Sequence, residues 1–214
     1  MSNLNILSFP KDSNNVPYYD NADDGGYLTM PVEQYIRSGG LFVPISATNP
    51  QPVKSVASDT GEIASDTITR PANTTAYEAG DVISTTSGEI LNFASLGVAN
   101  QMITIMGVRL MIADGAVPSG CAGYRLHLYN ASPTVIADAA PYNLPSGDRA
   151  KYLGFIDRIS VPTDLGDTVF STDDGVNFTC KLASTGLYGI LQTVGAETPA
   201  SAAVYTITLL TVAI

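Results

Sequence analysis

A chain of 214 residues that is 45% hydrophobic and 14% charged is one large domain, or one domain with an appended arm, and is unlike a disordered polymer. At that length roughly 70% of the unfolded surface can be buried, so neither a disulfide nor a metal is needed to hold a core. The net charge of −10, with only ten scattered Lys and Arg, argues against nucleic acid as a partner, because phosphate binding needs clustered cations.

Residues 1–50 read as an irregular, extended N-terminal arm. Pro10, Pro17, Pro31, Pro44 and Pro50 punctuate it, and residues 20–26 (DNADDGG) are a turn or loop run. No signal sequence is expected, since MSNLNILSFPKD lacks a basic stretch followed by a long apolar run. Tyr27, Leu28, Met30, Tyr35 and Ile36 are too much apolar surface for a free tail. Either the arm packs back on its own domain or it lies across a neighbouring subunit. Pro31 followed by VEQYIR predicts a one- or two-turn helix, as proline suits the first helical position. Gly39-Gly40 closes it, and residues 41–45 predict a short edge strand.

Residues 51–65 are small and polar, a linker or exposed hairpin. Residues 66–83 (DTITRPANTTAYEAGDVI) then read as the entry to a β domain over 66–214. Pro71 forces Arg70 into an extended conformation, and Gly80 offers a backbone that tolerates positive φ. Strands follow at residues 89–93, 101–113, 123–130, 152–160, 167–172, 176–182, 186–194 and 203–212. In residues 101–113 a two-residue period puts Met102, Thr104, Met106, Val108, Leu110 and Ile112 on one face. Ile103, Ile105 and Arg109 fall on the other. In GYRLHLYN, Tyr124, Leu126 and Leu128 oppose Arg125, His127 and Tyr129. Asp173-Asp174-Gly175 predicts a hairpin turn. The last strand becomes apolar on both faces at Leu209-Leu210, which suggests a central sheet position or an oligomer contact. It is too short and too rich in Thr to span a bilayer, which needs about 20 residues. Eight to ten strands with no long amphipathic helix indicate an all-β, jelly-roll-like β-sandwich.

Chemistry is sparse. His127 is the only histidine, no G-x-S-x-G is present, and strand-spaced metal ligands are missing, so no catalytic residue, metal or cofactor is expected. His127 reads as a surface or subunit-interface residue. Asp157, Asp164, Asp167, Asp173 and Asp174 could pair for glycoside hydrolysis, but the chain has no tryptophan and the Asp173-Asp174 pair suits a turn. Tyr124, Tyr129, Tyr142 and Tyr152 are the aromatic residues that could line a glycan groove. Asp20, Asp23 and Asp24 do not match an EF-hand loop. Cys121 and Cys180 lack metal spacing; reduced, buried thiols are the default reading, with a single disulfide between them the alternative.

The stretch Thr69-Arg70-Pro71-Ala72-Asn73-Thr74-Thr75-Ala76-Tyr77-Glu78-Ala79-Gly80-Asp81-Val82 resembles a phrase, T-R-P-x-[ND]-T-T-x-Y-x-x-G-D-V, that recurs in structural proteins of tailed bacteriophages. Tyr152-Leu153-Gly154-Phe155-Ile156 and the strands after it are similar to the second half of the same proteins. The resemblance covers residues 66–214. It implies a jelly-roll-like virion protein, a head decoration or cement protein that sits on the capsid surface as a homotrimer and clamps subunits of the major capsid protein. No catalytic residues transfer, and neither nucleic acid nor membrane is an expected partner. The arm residues Tyr27, Leu28, Met30, Tyr35 and Ile36, with Ile103, Ile105, Leu209 and Leu210, are then the expected oligomer or capsid contacts. A tail-fibre or receptor- or carbohydrate-binding β module is the alternative.

Overall fold

The computed structural model of the 214-residue chain describes residues 35–38, 41–44 and 61–214. The chain divides into two compact units, Met1–Ser55 and Val56–Ile214. In the first, β1 (Tyr35–Ser38) and β2 (Leu41–Pro44) pair antiparallel, Tyr35 opposite Pro44 and Ser38 opposite Leu41. The expected strand at 41–45 is present, but Tyr35–Ser38 is strand rather than helix. Tyr35 and Ile36 favour extended structure, and the Gly39-Gly40 pair between the two segments is a hairpin signal that outweighs the helix-starting preference of Pro31. Tyr27, Leu28, Met30 and the Asp20–Asp24 run lie outside the described residues.

The second unit is a two-layer sandwich of ten strands. They are β3 (Gly61–Thr69), β4 (Val82–Ile83), β5 (Leu91–Phe93), β6 (Met102–Ala113), β7 (Tyr124–Tyr129), β8 (Tyr152–Ile159), β9 (Thr163–Asp164), β10 (Val169–Lys181), β11 (Leu187–Thr193) and β12 (Val204–Ala213). Sheet I runs β3-β12-β6-β10-β9, and sheet II runs β4-β11-β7-β8 with β5 also paired to β11. The antiparallel pairs are nested: β3 with β12, β4 and β5 with β11, β6 with β10, β7 with β8. A nested set of this kind is one long hairpin rolled on itself, and the β12–β6 and β11–β7 ladders close the roll. The fold is a jelly-roll β-sandwich.

The core lies between the sheets. β12 alternates without interruption, burying Tyr205, Ile207 and Leu209 and turning Thr206, Thr208 and Leu210 outward. β6 does not. Leu210 pairs with Gly107 and the next residue, Thr211, pairs with Ile105, so Met106 is an extra residue on β6. Such a bulge reverses the phase of every side chain beyond it. Ile103 and Ile105 therefore face inward together with Val108, Leu110 and Ile112, while Met102, Met106, Arg109 and Met111 face out. A strict two-residue period cannot show this. Ile103, Ile105 and Leu209 are buried core, and the expectation that they form an oligomer or capsid contact is corrected.

Two further expectations change. Asp173-Asp174-Gly175 does not turn a hairpin: residues 169–181 are one strand whose register on β6 shifts between Asp174 and Phe178. The positive φ at Gly175 (79°) and Asn177 (52°) is taken up by this bulge instead. β3 also begins at Gly61, inside the stretch read as a linker or exposed hairpin. Apart from Ile63 its outward residues are polar or small, which resembles a loop in sequence, but β12 offers a ladder partner along its whole length, Gly61 opposite Val212 and Thr69 opposite Val204.

Candidate functional site

The phrase over residues 69–82 folds into a buried clamp at one end of the sandwich. Arg70, the first residue after β3, is 1% exposed. Its five N–H donors are all used. Nε donates to the Tyr77 hydroxyl (3.1 Å), Nη1 to the carbonyls of Asn73 (2.7 Å) and Ala200 (3.0 Å), and Nη2 to Asn73 Oδ1 (3.1 Å) and the Thr75 carbonyl (3.1 Å). Asp138 balances the charge: its Oδ2 lies 3.9 Å from Nη2, and its Oδ1 accepts from the Tyr77 hydroxyl (2.6 Å) and the Ser84 amide (3.0 Å). Burial, then the Asp138 bond, pushes the Tyr77 phenol up. Gly80 sits at φ 95°, and the Asp81 carboxylate accepts from the Glu78 amide (2.8 Å). The phrase is a folding device. It ties the connection after β3 to Asp138 and to the loop before β12.

His127 is 3% exposed, which corrects its expected place on a surface. It points to the outer face of sheet II, but residues of the β7–β8 connection (Ile136, Tyr142 and Leu144) fold back over that face and pack on Val82, Tyr129 and Ile190. No local periodicity reports such a cover. The tautomer follows from the partners. Gln192 donates its amide to the Gly80 carbonyl (2.8 Å), so its Oε1 must accept from His127 Nε2 (3.0 Å), and Nδ1 accepts from the Tyr152 hydroxyl (3.0 Å). The ring stacks on Tyr142 with centroids 3.6 Å apart. Burial holds the imidazole down to about 4, so it is neutral near pH 7. Because that value lies below the ordinary 6.5, the stability His127 contributes is present above about pH 6.5 and lost as pH falls through about 4. The urea midpoint of His127→Gln should fall less steeply than that of the natural chain over this window. Parallel curves would refute the assignment.

Of the tyrosines expected to line a glycan groove, Tyr129, Tyr142 and Tyr152 gather around His127, but Tyr124 lies on the other side of β7, in the core. Their hydroxyls are spent within the cluster, Tyr129 to Tyr142 at 2.7 Å and Tyr152 to His127. Of the five carboxylates, Asp157, Asp173 and Asp174 reach one open notch of about 330 Å³ between β8 and the bulge of β10, walled by Phe155, Val176 and Phe178. Asp164 and Asp167 do not line it. Asp157 is held by Arg125 (2.7 Å), whose guanidinium lies 4.6 Å over the Phe155 ring. Asp173 accepts from the Ser160 amide (2.8 Å) and from the Ser160 hydroxyl, fixing the bulge. Among the described residues no group of three His, Cys, Asp or Glu is placed to hold a metal ion. Cys121 and Cys180 are both free thiols, and burial pushes each up to about 11.

The outer face of sheet I is the broad surface that the fold leaves uncovered by its own described elements. Along the ladders, Ile63, Leu210, Gly107 and Asp174 form one row, with the bulged Met106 beside it. Thr67, Thr206, Met111 and Phe170 form another, and Ser65, Thr208, Arg109 and Thr172 a third. Hydroxyls lace the rows: Ser65 to Thr208 (2.7 Å), Thr67 to Thr206 (3.1 Å) and Thr104 to Thr179 (2.9 Å). Ile63 is 65% exposed, and Met102, Met106 and Met111 are exposed as well. On the outward positions of β3, β12, β6 and β10 the charged residues are Arg109, Asp174 and Lys181. Leu210 is half-buried on this face, so of the expected contact residues whose side chains are described it alone lies on an open surface.

No family model and no curated protein matches the chain. Among solved structures it is similar to a chain from the "Israeli acute paralysis virus heated to 63 degree - full particle". Identity is 14%, the TM-score is 0.26, and the alignment covers 99% of this chain and 97% of that one. A likeness that faint transfers neither a role nor a mechanism.

Proposed function

We propose that the chain is a non-enzymatic structural protein of a virion. In its finer form the proposal is a capsid decoration (cement) protein of the tailed-bacteriophage type. As a homotrimer it binds the capsid exterior and stabilises contacts between subunits of the major capsid protein. The observation that carries this reading is the outer face of sheet I, a charge-poor face of Met, Thr, Ile and Leu on a chain of net charge −10. Apolar patches rimmed by polar residues mark interaction sites, and a charge-poor patch docks with little desolvation penalty. The clamp supports the reading too, since it makes the phage-like phrase a device for holding shape. Jelly rolls carry viral capsid domains, lectins and cupins alike, so the topology accords with the role without selecting it. Many weak copies on a lattice would supply avidity.

Co-sedimentation with capsids lacking the protein tests this. The natural chain should pellet with them and Met106→Glu, which charges the centre of the face, should stay in the supernatant. Equal pelleting would remove the face from the contact, and no pelleting of either would remove the capsid role. One observation favours the tail-fibre or carbohydrate-binding alternative: the half-buried Tyr142 and Tyr152 gather around His127 with Phe155, which is 44% exposed, although Tyr129 beneath them is buried. Retention on a glycan array would support it.

A further inference from the structure

Glu197, in the connection between β11 and β12, is 2% exposed at the clamped end of the sandwich. Its backbone makes both bonds of an antiparallel bridge with Tyr77: the Glu197 amide donates to the Tyr77 carbonyl (3.1 Å), and the Tyr77 amide donates to the Glu197 carbonyl (2.8 Å). The adjacent Thr198 amide donates to the Ser119 carbonyl (2.9 Å). One short segment thereby fastens two other loops, the one after β3 and the one before β7.

The side chain of Glu197 turns inward. Its Oε1 accepts from the Tyr124 hydroxyl (3.2 Å), but Oε2 has no hydrogen-bond partner, and neither does the hydroxyl of Tyr205 in the same cluster. The groups facing it are Arg70 from the loop after β3, Cys121 from the loop before β7, Tyr124 at the start of β7, and Tyr205 from β12, with Tyr77 beyond Tyr205. Arg70 is the cation among them, and its donors are all committed elsewhere. A half-bonded carboxylate in such a place is costly, whereas the neutral acid is tolerated.

We propose that Glu197 is a proton-operated latch. With the carboxyl protonated, residues 194–203 stay closed against Tyr77 and Ser119. With it ionised, the charge is relieved only when the segment swings Glu197 towards water, which breaks both bridges and uncovers Cys121. Burial pushes the carboxyl up to about 7 from an ordinary 4.5, while the neighbouring phenols and the Cys121 thiol move higher, out of this range. The folded value lies above the unfolded one, so the closed state is fully favoured below about pH 4.5 and loses its advantage as pH rises through about 7.

Amide hydrogen exchange of the whole chain, corrected for intrinsic rates, tests the latch. If Glu197 returns to 4.5 on opening, protection across residues 194–203 should fall roughly 70-fold between pH 5 and pH 8, and at both pH values it should lie well below that of β6 amides, which exchange only when the whole domain unfolds. Glu197→Gln should abolish the fall. Unchanged protection in the natural chain, protection across residues 194–203 equal to that of β6, or the same loss in Glu197→Gln would each overturn the proposal. Should the variant not fold, the comparison of the two segments in the natural chain decides alone.

Discussion

Arg70→Met should destabilise the sandwich by about 3–5 kcal/mol, the usual cost of removing one partner from a buried ion pair. The substitution keeps most of the side-chain volume but strips acceptors of their donor: the carbonyls of Asn73, Thr75 and Ala200, Asn73 Oδ1 and the Tyr77 hydroxyl. It also leaves Asp138 with no cation, in a side chain that is 6% exposed. Arg70→Lys should recover only part of the loss, because an ammonium has three donors and no planar fork. Equilibrium urea unfolding checks both. A loss below about 1 kcal/mol for Arg70→Met would mean that the clamp contributes little beyond what a surface pair does.

The contrast between Leu209→Asp and Leu210→Asp should be larger still, and it separates fold from assembly. Leu209 is wholly buried, facing the core with Ile207 and Val108. A carboxylate there has no partner, which costs several kcal/mol beyond the lost packing and should leave the chain insoluble or unfolded. Leu210 points the other way, between Ile63 and Gly107 on the open face. Leu210→Asp should fold with a loss on the order of 1 kcal/mol and keep a native circular dichroism spectrum. If the outer face of sheet I carries assembly, that variant should sediment as a monomer and fail to bind capsids. A Leu210→Asp protein that still assembles would exclude the face as the contact.

His127, held down to about 4, and Glu197, pushed up to about 7, act on stability in opposite directions. Between about pH 4.5 and 6.5 the rising contribution of His127 and the falling contribution of Glu197 offset one another. They sit in separate clusters, His127 outside sheet II under its loop and Glu197 at the clamped end, so each variant should change the pH profile independently.

Much of the architecture was legible in the residues. Period-two alternation in β7 and β12, turn residues between short apolar runs and the absence of an amphipathic helix sufficed for an all-β sandwich of jelly-roll type, because side-chain alternation is fixed by the pleat of a single strand. Arg-Pro, Gly80 and the order of residues 69–82 marked the entry to the domain, since proline and glycine act on their own backbone. What sequence could not decide depends on a partner strand or a covering loop. The Met106 bulge exists only against Leu210 and Thr211, and it alone sends Ile103 and Ile105 inward. The bulge at Gly175 likewise needs β6 beside it, without which Asp-Asp-Gly reads as a turn. His127 is buried by residues of the β7–β8 connection, and Arg70 finds acceptors as far away as Ala200. Alternation along one strand determines that a face exists. Register against the next strand determines which residues are on it, and so which of the expected contacts can meet a partner at all.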